Sequence, residues 1–106
     1  MPSIDPRHDP VRVSPAHYTL LLENDRVRVL DMHLQPGEID EPHAHPSETV
    51  YFLRGGTLRI HLPNGEVVPA DFPDGGVMWH EPWSHRVENV GATAVHAIIV
   101  EDQSGT

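Results

Sequence analysis

Short apolar runs separated by turn-forming residues dominate the chain from residue 17 onward. Within residues 26–34 and 57–62, apolar and polar positions alternate, which is the period of a strand with one buried face. No run has the 3.6-residue period of an amphipathic helix. Asn24-Asp25, Gly55-Gly56 and Asn64-Gly65 predict tight turns. The predicted strands are residues 17–22, 26–34, 49–54, 57–62, 66–70, 77–80, 85–90 and 94–101.

This pattern predicts an all-β, single-domain fold. Eight or nine short antiparallel strands in so small a chain must close on themselves or form a double-sheet roll to protect their edges. We therefore predict a jelly-roll β-barrel over residues 16–102, with a pocket in its mouth. Residues 1–15, which carry four prolines, are predicted to form an irregular N-terminal arm, and residues 103–106 a polar tail.

Composition narrows the possible chemistry. The chain has 106 residues and a formal net charge of −9, with no basic cluster, which argues against a nucleic-acid partner. It contains no lysine and no cysteine, which excludes lysine Schiff bases, thiolate nucleophiles, disulfides and thiolate metal sites. No apolar stretch is long enough to span a membrane, and no basic-then-apolar leader is present. We expect a soluble, cytoplasmic protein.

The sequence His43-Ala44-His45 is the strongest chemical signal. Side chains two positions apart on a strand point to the same side, so the two imidazoles can converge. Imidazole is the commonest protein ligand for first-row transition metals. Glu48 follows closely, and His85 lies 40 residues after His45. These residues predict a metal site in a β-rich pocket.

The surrounding residues resemble the cupin family. From Gly37 to Gly55 the order is glycine, five residues, H-x-H, two residues, glutamate, six residues and glycine, which is similar to the first cupin motif. The second motif is matched by Gly75, Pro82, His85 and Asn89. The resemblance covers roughly residues 26–101 and implies one cupin domain. It also implies a divalent metal inside the barrel, held by four ligands: His43, His45, Glu48 and His85.

Two departures from the family pattern bear on the site. Only two residues separate His45 from Glu48, where the family has three or four. On a straight strand, an offset of three turns Glu48 to the opposite face, although a turn at Pro46-Ser47 could restore its direction. In the second motif, Glu81 stands where the family has proline, and the loop into His85 is one residue short.

Other residues near the motifs are candidates for substrate binding or proton transfer. His80 is a candidate catalytic proton shuttle, or a substitute ligand if Glu48 does not reach the metal. Trp83 is expected in the pocket wall, and Arg59 is a candidate partner for a substrate carboxylate. Trp79 is expected in the core. His33, His61 and His96 are interpreted as ordinary strand positions, hydrogen-bonded or exposed.

The predicted ligands suit Fe, Mn, Ni, Co or Zn, and the sequence does not choose among them. A redox-active ion would support dioxygenase-type oxidation of a small oxygen-bearing metabolite, which we slightly prefer. A Lewis-acid role would support isomerase or lyase chemistry. A non-catalytic, small-molecule-binding protein is the alternative from another class. The small core and the habit of the family also predict a homodimer.

Overall fold

A computed structural model describes residues 5–104. Met1 to Ile4 of the predicted arm and the last two residues of the predicted tail lie outside the described residues. Nine strands follow one another within these described residues. They are β1 Tyr18–Glu23, β2 Val27–Leu34, β3 His43–His45, β4 Glu48–Arg54, β5 Gly56–His61, β6 Val67–Phe72, β7 Val77–His80, β8 Trp83–Asn89 and β9 Val95–Asp102.

The strands form two antiparallel sheets, as the all-β jelly-roll prediction requires. The five-stranded sheet has the order β1-β2-β9-β4-β7, and the four-stranded sheet has the order β3-β8-β5-β6. Strands distant in sequence are neighbours in both sheets, which is how a roll closes on itself. Alternate residues of β2, β4, β5 and β9 are buried, so one side of each strand faces the core between the sheets.

The N-terminal arm is more regular than predicted. Pro6–His8 form a 3-10 turn, and Pro10–Val13 form one turn of α-helix, α1. Asp5 and Asp9 precede these turns, and each side chain accepts a hydrogen bond from a backbone N–H two residues later. Proline at the first position of a helical turn needs no intrahelical N–H partner, so Pro6 and Pro10 are compatible with these turns.

One buried carboxylate fixes the entry into β3. Asp40 is fully buried, and its two oxygens accept hydrogen bonds from Val87 N and from the Tyr18 hydroxyl, both at 2.7 Å. These bonds join β1, β8 and the segment before β3 at one point. The position of His43, three residues later, is therefore set by contacts from both sheets.

Candidate metal centre

Three buried histidines meet where β3 pairs with β8. His43 and His45 lie on the same side of β3, and His43 is directly opposite His85 in the antiparallel register. One ligand nitrogen from each ring lies within 4.8 Å of the others. The ring centroid of His43 is 4.8 Å from those of His45 and His85. The strand pairing thus brings together three of the four residues implied by the sequence motifs.

Hydrogen bonds at Nδ1 orient the rings of His43 and His45, while Nε2 of His43 lies 3.3 Å from the Tyr18 hydroxyl. His43 Nδ1 donates to the Glu41 carbonyl at 2.7 Å. His45 Nδ1 is 2.6 Å from Glu101 Oε2 and donates to that carboxylate. In both rings the lone pair is then on Nε2. Among the described residues, the buried Nδ1 of His85 has no hydrogen-bond partner. This arrangement fits a divalent cation with nitrogen ligands.

Burial keeps two of these imidazoles uncharged. Desolvation lowers the pKa of His45 well below its usual value, and the neighbouring His43 lowers it further. The pKa of His85 is lowered by desolvation first and then by His43, His45 and His80. A neutral imidazole binds a metal without first losing a proton, so these rings are competent ligands near neutral pH.

Glu48 lies beside the three histidines but is not a member of the group. Its Oε2 accepts a hydrogen bond from Trp83 Nε1 at 2.6 Å, and its Oε1 is 3.4 Å from His45 Nδ1. The contact is therefore with the side of His45 that faces away from Nε2. Pro46-Ser47 carries the chain from β3 in one sheet to β4 in the other, so Glu48 points inward from the opposite wall.

Known structures share this architecture, although no family model and no curated protein matches the chain. A cupin domain from Bordetella pertussis Tohama I is 25% identical, with a TM-score of 0.73, over 80% of this chain and 90% of that one. A Klebsiella pneumoniae protein with a double-stranded β-helix domain is 24% identical, with a TM-score of 0.66, over 92% of this chain and 81% of that one. The polyketide cyclase RemF from Streptomyces resistomycificus is 17% identical, with a TM-score of 0.61, over 97% of this chain and 80% of that one.

The chain has the fold of a single-domain cupin. Its fold and its buried His43, His45 and His85 agree with what the two sequence motifs imply. The chain departs from the cupin motif at the shortened spacing after His45, and the structure does not bring Glu48 into the ligand group.

A cavity of about 490 Å³ opens between the two sheets, next to the histidines. His45, Glu48 and His85 form part of its wall. Trp83 and His80 also line the cavity, with their rings stacked at a centroid distance of 3.5 Å. Most of the remaining wall is apolar and includes Val50, Phe52, Leu58, Ile60, Phe72 and Val87.

The structure does not bring Arg59 to this cavity. Its neighbours on β5, Leu58 and Ile60, point inward, so strand alternation places Arg59 on the exposed side. No arginine or lysine is present among the described residues that line the cavity. Arg59 therefore has no place in the site proposed below.

Sequence reasoning missed Glu101 as the partner of His45. The two residues are 56 positions apart and belong to different sheets. A signal was nevertheless available, because Glu101 shares its strand face with the core residues Val95, Ala97 and Ile99. A carboxylate at the inward position of an alternating strand is expected to have a buried polar partner.

In the part of the chain that the structure describes, no helix is long and apolar enough to cross a membrane.

Proposed function

We propose that this cupin is a metal-dependent enzyme acting on a small, largely apolar metabolite through an oxygen-bearing group. The observation that supports this best is the position of His45 and His85 in the wall of an apolar cavity. The cavity volume is in the usual range of small-molecule sites. Three protein ligands leave coordination positions open for substrate, water or dioxygen on a six-coordinate ion.

The cavity wall favours an uncharged or weakly polar substrate body. Without arginine or lysine in the described lining, nothing there compensates a phosphate or a second carboxylate. The apolar side chains of both sheets would instead bury a hydrocarbon or aromatic body. The polar residues are concentrated at the histidine end of the cavity, so an oxygen-bearing group is best accommodated there.

Within this function, we favour dioxygenase-type oxidation. A redox-active divalent ion such as Fe(II), when bound, would supply the electron transfer that activates dioxygen, and both oxygen atoms would enter the substrate. His43, His45 and His85 would hold the ion, and the stacked His80 and Trp83 would orient the substrate against it. The apolar wall would exclude water from the reacting groups.

The position of Glu48 favours isomerase or lyase chemistry as the second candidate function. Burial raises the pKa of Glu48 to about 8, although the Trp83 hydrogen bond opposes the rise. A carboxyl with a pKa near neutrality, in the wall of the substrate cavity, is suited to accept and return a proton. Metal polarisation of a substrate carbonyl would supply the other half of this chemistry.

The two candidates are separated by metal analysis, oxygen uptake and one conservative substitution. The purified protein should carry a stoichiometric divalent metal that is lost in the His43→Ala/His45→Ala variant, while Glu48→Ala should only weaken metal retention. Apolar compounds with paired hydroxyl or carbonyl groups should then consume dioxygen with the Fe(II)-loaded protein. Glu48→Gln should leave most of this uptake intact, whereas it should abolish isomerase or lyase turnover.

The same experiments contain the result that contradicts the proposal. Unchanged metal content in the double histidine variant would disprove the metal site. Ligands that raise the melting temperature of the metal-loaded protein without any turnover would identify a non-catalytic binding protein instead.

A further inference from the structure

A second group of metal-ligand side chains lies on the outer face of the five-stranded sheet. Asp31 and His33 are two positions apart on β2 and so point to the same side, and His96 is directly opposite His33 on β9. The residues between them along the strands, such as Met32 and Ala97, are buried in the core. This group therefore lies on the other side of the sheet from the cavity.

The three side chains already converge on one point. His33 Nε2 is 2.8 Å from Asp31 Oδ1, and His96 Nε2 is 2.8 Å from Asp31 Oδ2. The imidazole rings are stacked, with centroids 4.0 Å apart and planes inclined by 16°. One ligand atom from each residue lies within 4.8 Å of the others.

We propose that Asp31, His33 and His96 form a second site for a divalent transition-metal cation, separate from the buried histidines. Two imidazole nitrogens and a carboxylate oxygen are a ligand set that suits Zn²⁺, Ni²⁺ or Cu²⁺. Such ligands lie about 2.0–2.2 Å from a zinc ion, so neighbouring ligand atoms are roughly 3.3 Å apart around a tetrahedral centre. Small side-chain rotations would bring the present atoms to that spacing.

The site is accessible to a cation from solution. The side chains of His33, His96 and Asp31 are 53%, 28% and 19% exposed, so water can complete the coordination. In the described chain, the ion pairs of Asp31 are with these two histidines. Without the cation, His96 donates its Nε2–H to Asp31 Oδ2. Among the described residues, the buried Asp31 Oδ1 has no hydrogen-bond partner, although His33 Nε2 lies 2.8 Å from it. A cation between the three side chains would replace the His96 proton and satisfy Oδ1.

Bound metal would link two adjacent strands at residues far apart in sequence. Asp31 and His96 are separated by 65 positions. A cation that binds the folded arrangement and not the unfolded chain stabilises the protein by linkage. Zinc should therefore raise the melting temperature through this group, in addition to any effect of the buried site.

The proposal is tested by counting the Zn²⁺ ions bound to the untagged, full-length protein after equilibrium dialysis against micromolar zinc. His33→Gln and His96→Gln should each bind one zinc fewer per chain than the wild type. His61→Gln is the matched control, because His61 is also a half-exposed strand histidine with a carboxylate partner, Glu88 at 2.9 Å, but has no second imidazole in its group. The control should bind as many zinc ions as the wild type.

The difference between chains is informative whether or not the buried site fills, because His33 and His96 lie on the other side of the sheet from the cavity that His45 and His85 line. His33 is more than half exposed, so its replacement preserves the fold. In the wild type, addition of Zn²⁺ should also shift the imidazole NMR signals of His33 and His96. Equal zinc content in the wild type and both test variants, or unshifted signals from these two rings, would overturn the proposal.

Discussion

Glu101 orients the imidazole ring of His45 through a contact with its Nδ1. It is buried, its Oε2 lies 2.6 Å from His45 Nδ1, and its Oε1 lies 3.6 Å from Arg28 Nε. Burial raises the pKa of Glu101 to about 7, and the charge of Arg28 opposes this rise. Arg28 thus favours the ionised carboxylate, which accepts the Nδ1 proton and leaves Nε2 of His45 facing the other histidines.

Replacement of Glu101 with glutamine should weaken metal binding without removing a ligand. The amide keeps the shape of the side chain but loses the charge that orients and polarises His45. Loss of such a partner typically lowers metal affinity about 10–100-fold. Competition with a chelator of known affinity would measure this change.

Glu88→Gln is the matched control, since Glu88 pairs with the half-exposed His61. We expect its affinity for the buried metal to match that of the wild type. If the two variants bind metal equally well, Glu101 has no role in orienting His45.

Single residues also show where sequence reasoning reaches its limit. The motif spacing brought His43, His45 and His85 together correctly, because these positions lie on paired strands. The motif could not fix Glu48, because its place depends on how Pro46-Ser47 leads the chain into the other sheet. Arg59 could have been placed from the alternation of β5 alone, since its neighbours are apolar.

At the scale of elements, a bidentate ion pair helps to attach the N-terminal arm to the barrel, beside the packing of Val11 on the core. The two terminal guanidinium nitrogens of Arg28 on β2 donate to the two oxygens of Asp9, at 3.0 and 3.1 Å. Burial raises the pKa of Asp9, but the hydrogen bonds from Arg28 and from Val11 N outweigh it, and the net pKa is lowered. The same carboxylate begins helix α1, so one residue both caps and anchors the arm.

Asp9→Asn should destabilise the protein at neutral pH by about 1.5–3 kcal/mol, the usual worth of hydrogen bonds to a charged group. Asparagine is as good a helix cap as aspartate, so the substitution removes mainly the charge. Chemical denaturation at pH 7 would measure the loss. Equal stability of the two proteins at this pH would show that the ion pair does not hold the arm.

The loss should also depend on pH. Because the pKa of Asp9 is lower in the folded state, its stabilising effect is present above the ordinary carboxyl pKa and disappears as the pH falls through the lowered value. Melting temperatures of wild type and variant should therefore converge as the pH falls below about 4. A constant difference between pH 7 and pH 3 would mean that the charge of Asp9 is not responsible.

Strand positions were predictable because turn residues separate them, but the direction of individual side chains was less so. The predicted strand at residues 77–80 matches β7 Val77–His80. Trp79, however, was expected in the core and is 64% exposed. Its neighbours Met78 and His80 line the cavity, so alternation turns the indole outward. The large size of tryptophan favours burial, but the two-residue period of the strand decides which side of the sheet the indole faces.

At the scale of the whole molecule, the outer face of β4 and β7 carries exposed apolar side chains. Tyr51 is opposite Val77, and Trp79 is opposite Thr49 in the register of these strands. Tyr51, Val77 and Trp79 are 44%, 65% and 64% exposed. Contiguous apolar surface of this kind is typical of protein interaction sites. β7 is also an edge strand of its sheet, with backbone groups available for pairing.

We expect this face to be covered by a second copy of the chain, in a homodimer. The same surface on both partners satisfies the two-fold symmetry of the commonest homo-oligomers. Light scattering at micromolar concentration should then give about twice the chain mass of 11.8 kDa.

Trp79→Asp should shift the mass toward that of one chain, because a charge would be buried without a partner in the interface. Val67→Asp, on β6 at the edge of the other sheet, is the control and should remain dimeric. A mass near 11.8 kDa for the wild type would exclude the dimer, and dissociation only in the control would assign the interface to the other sheet.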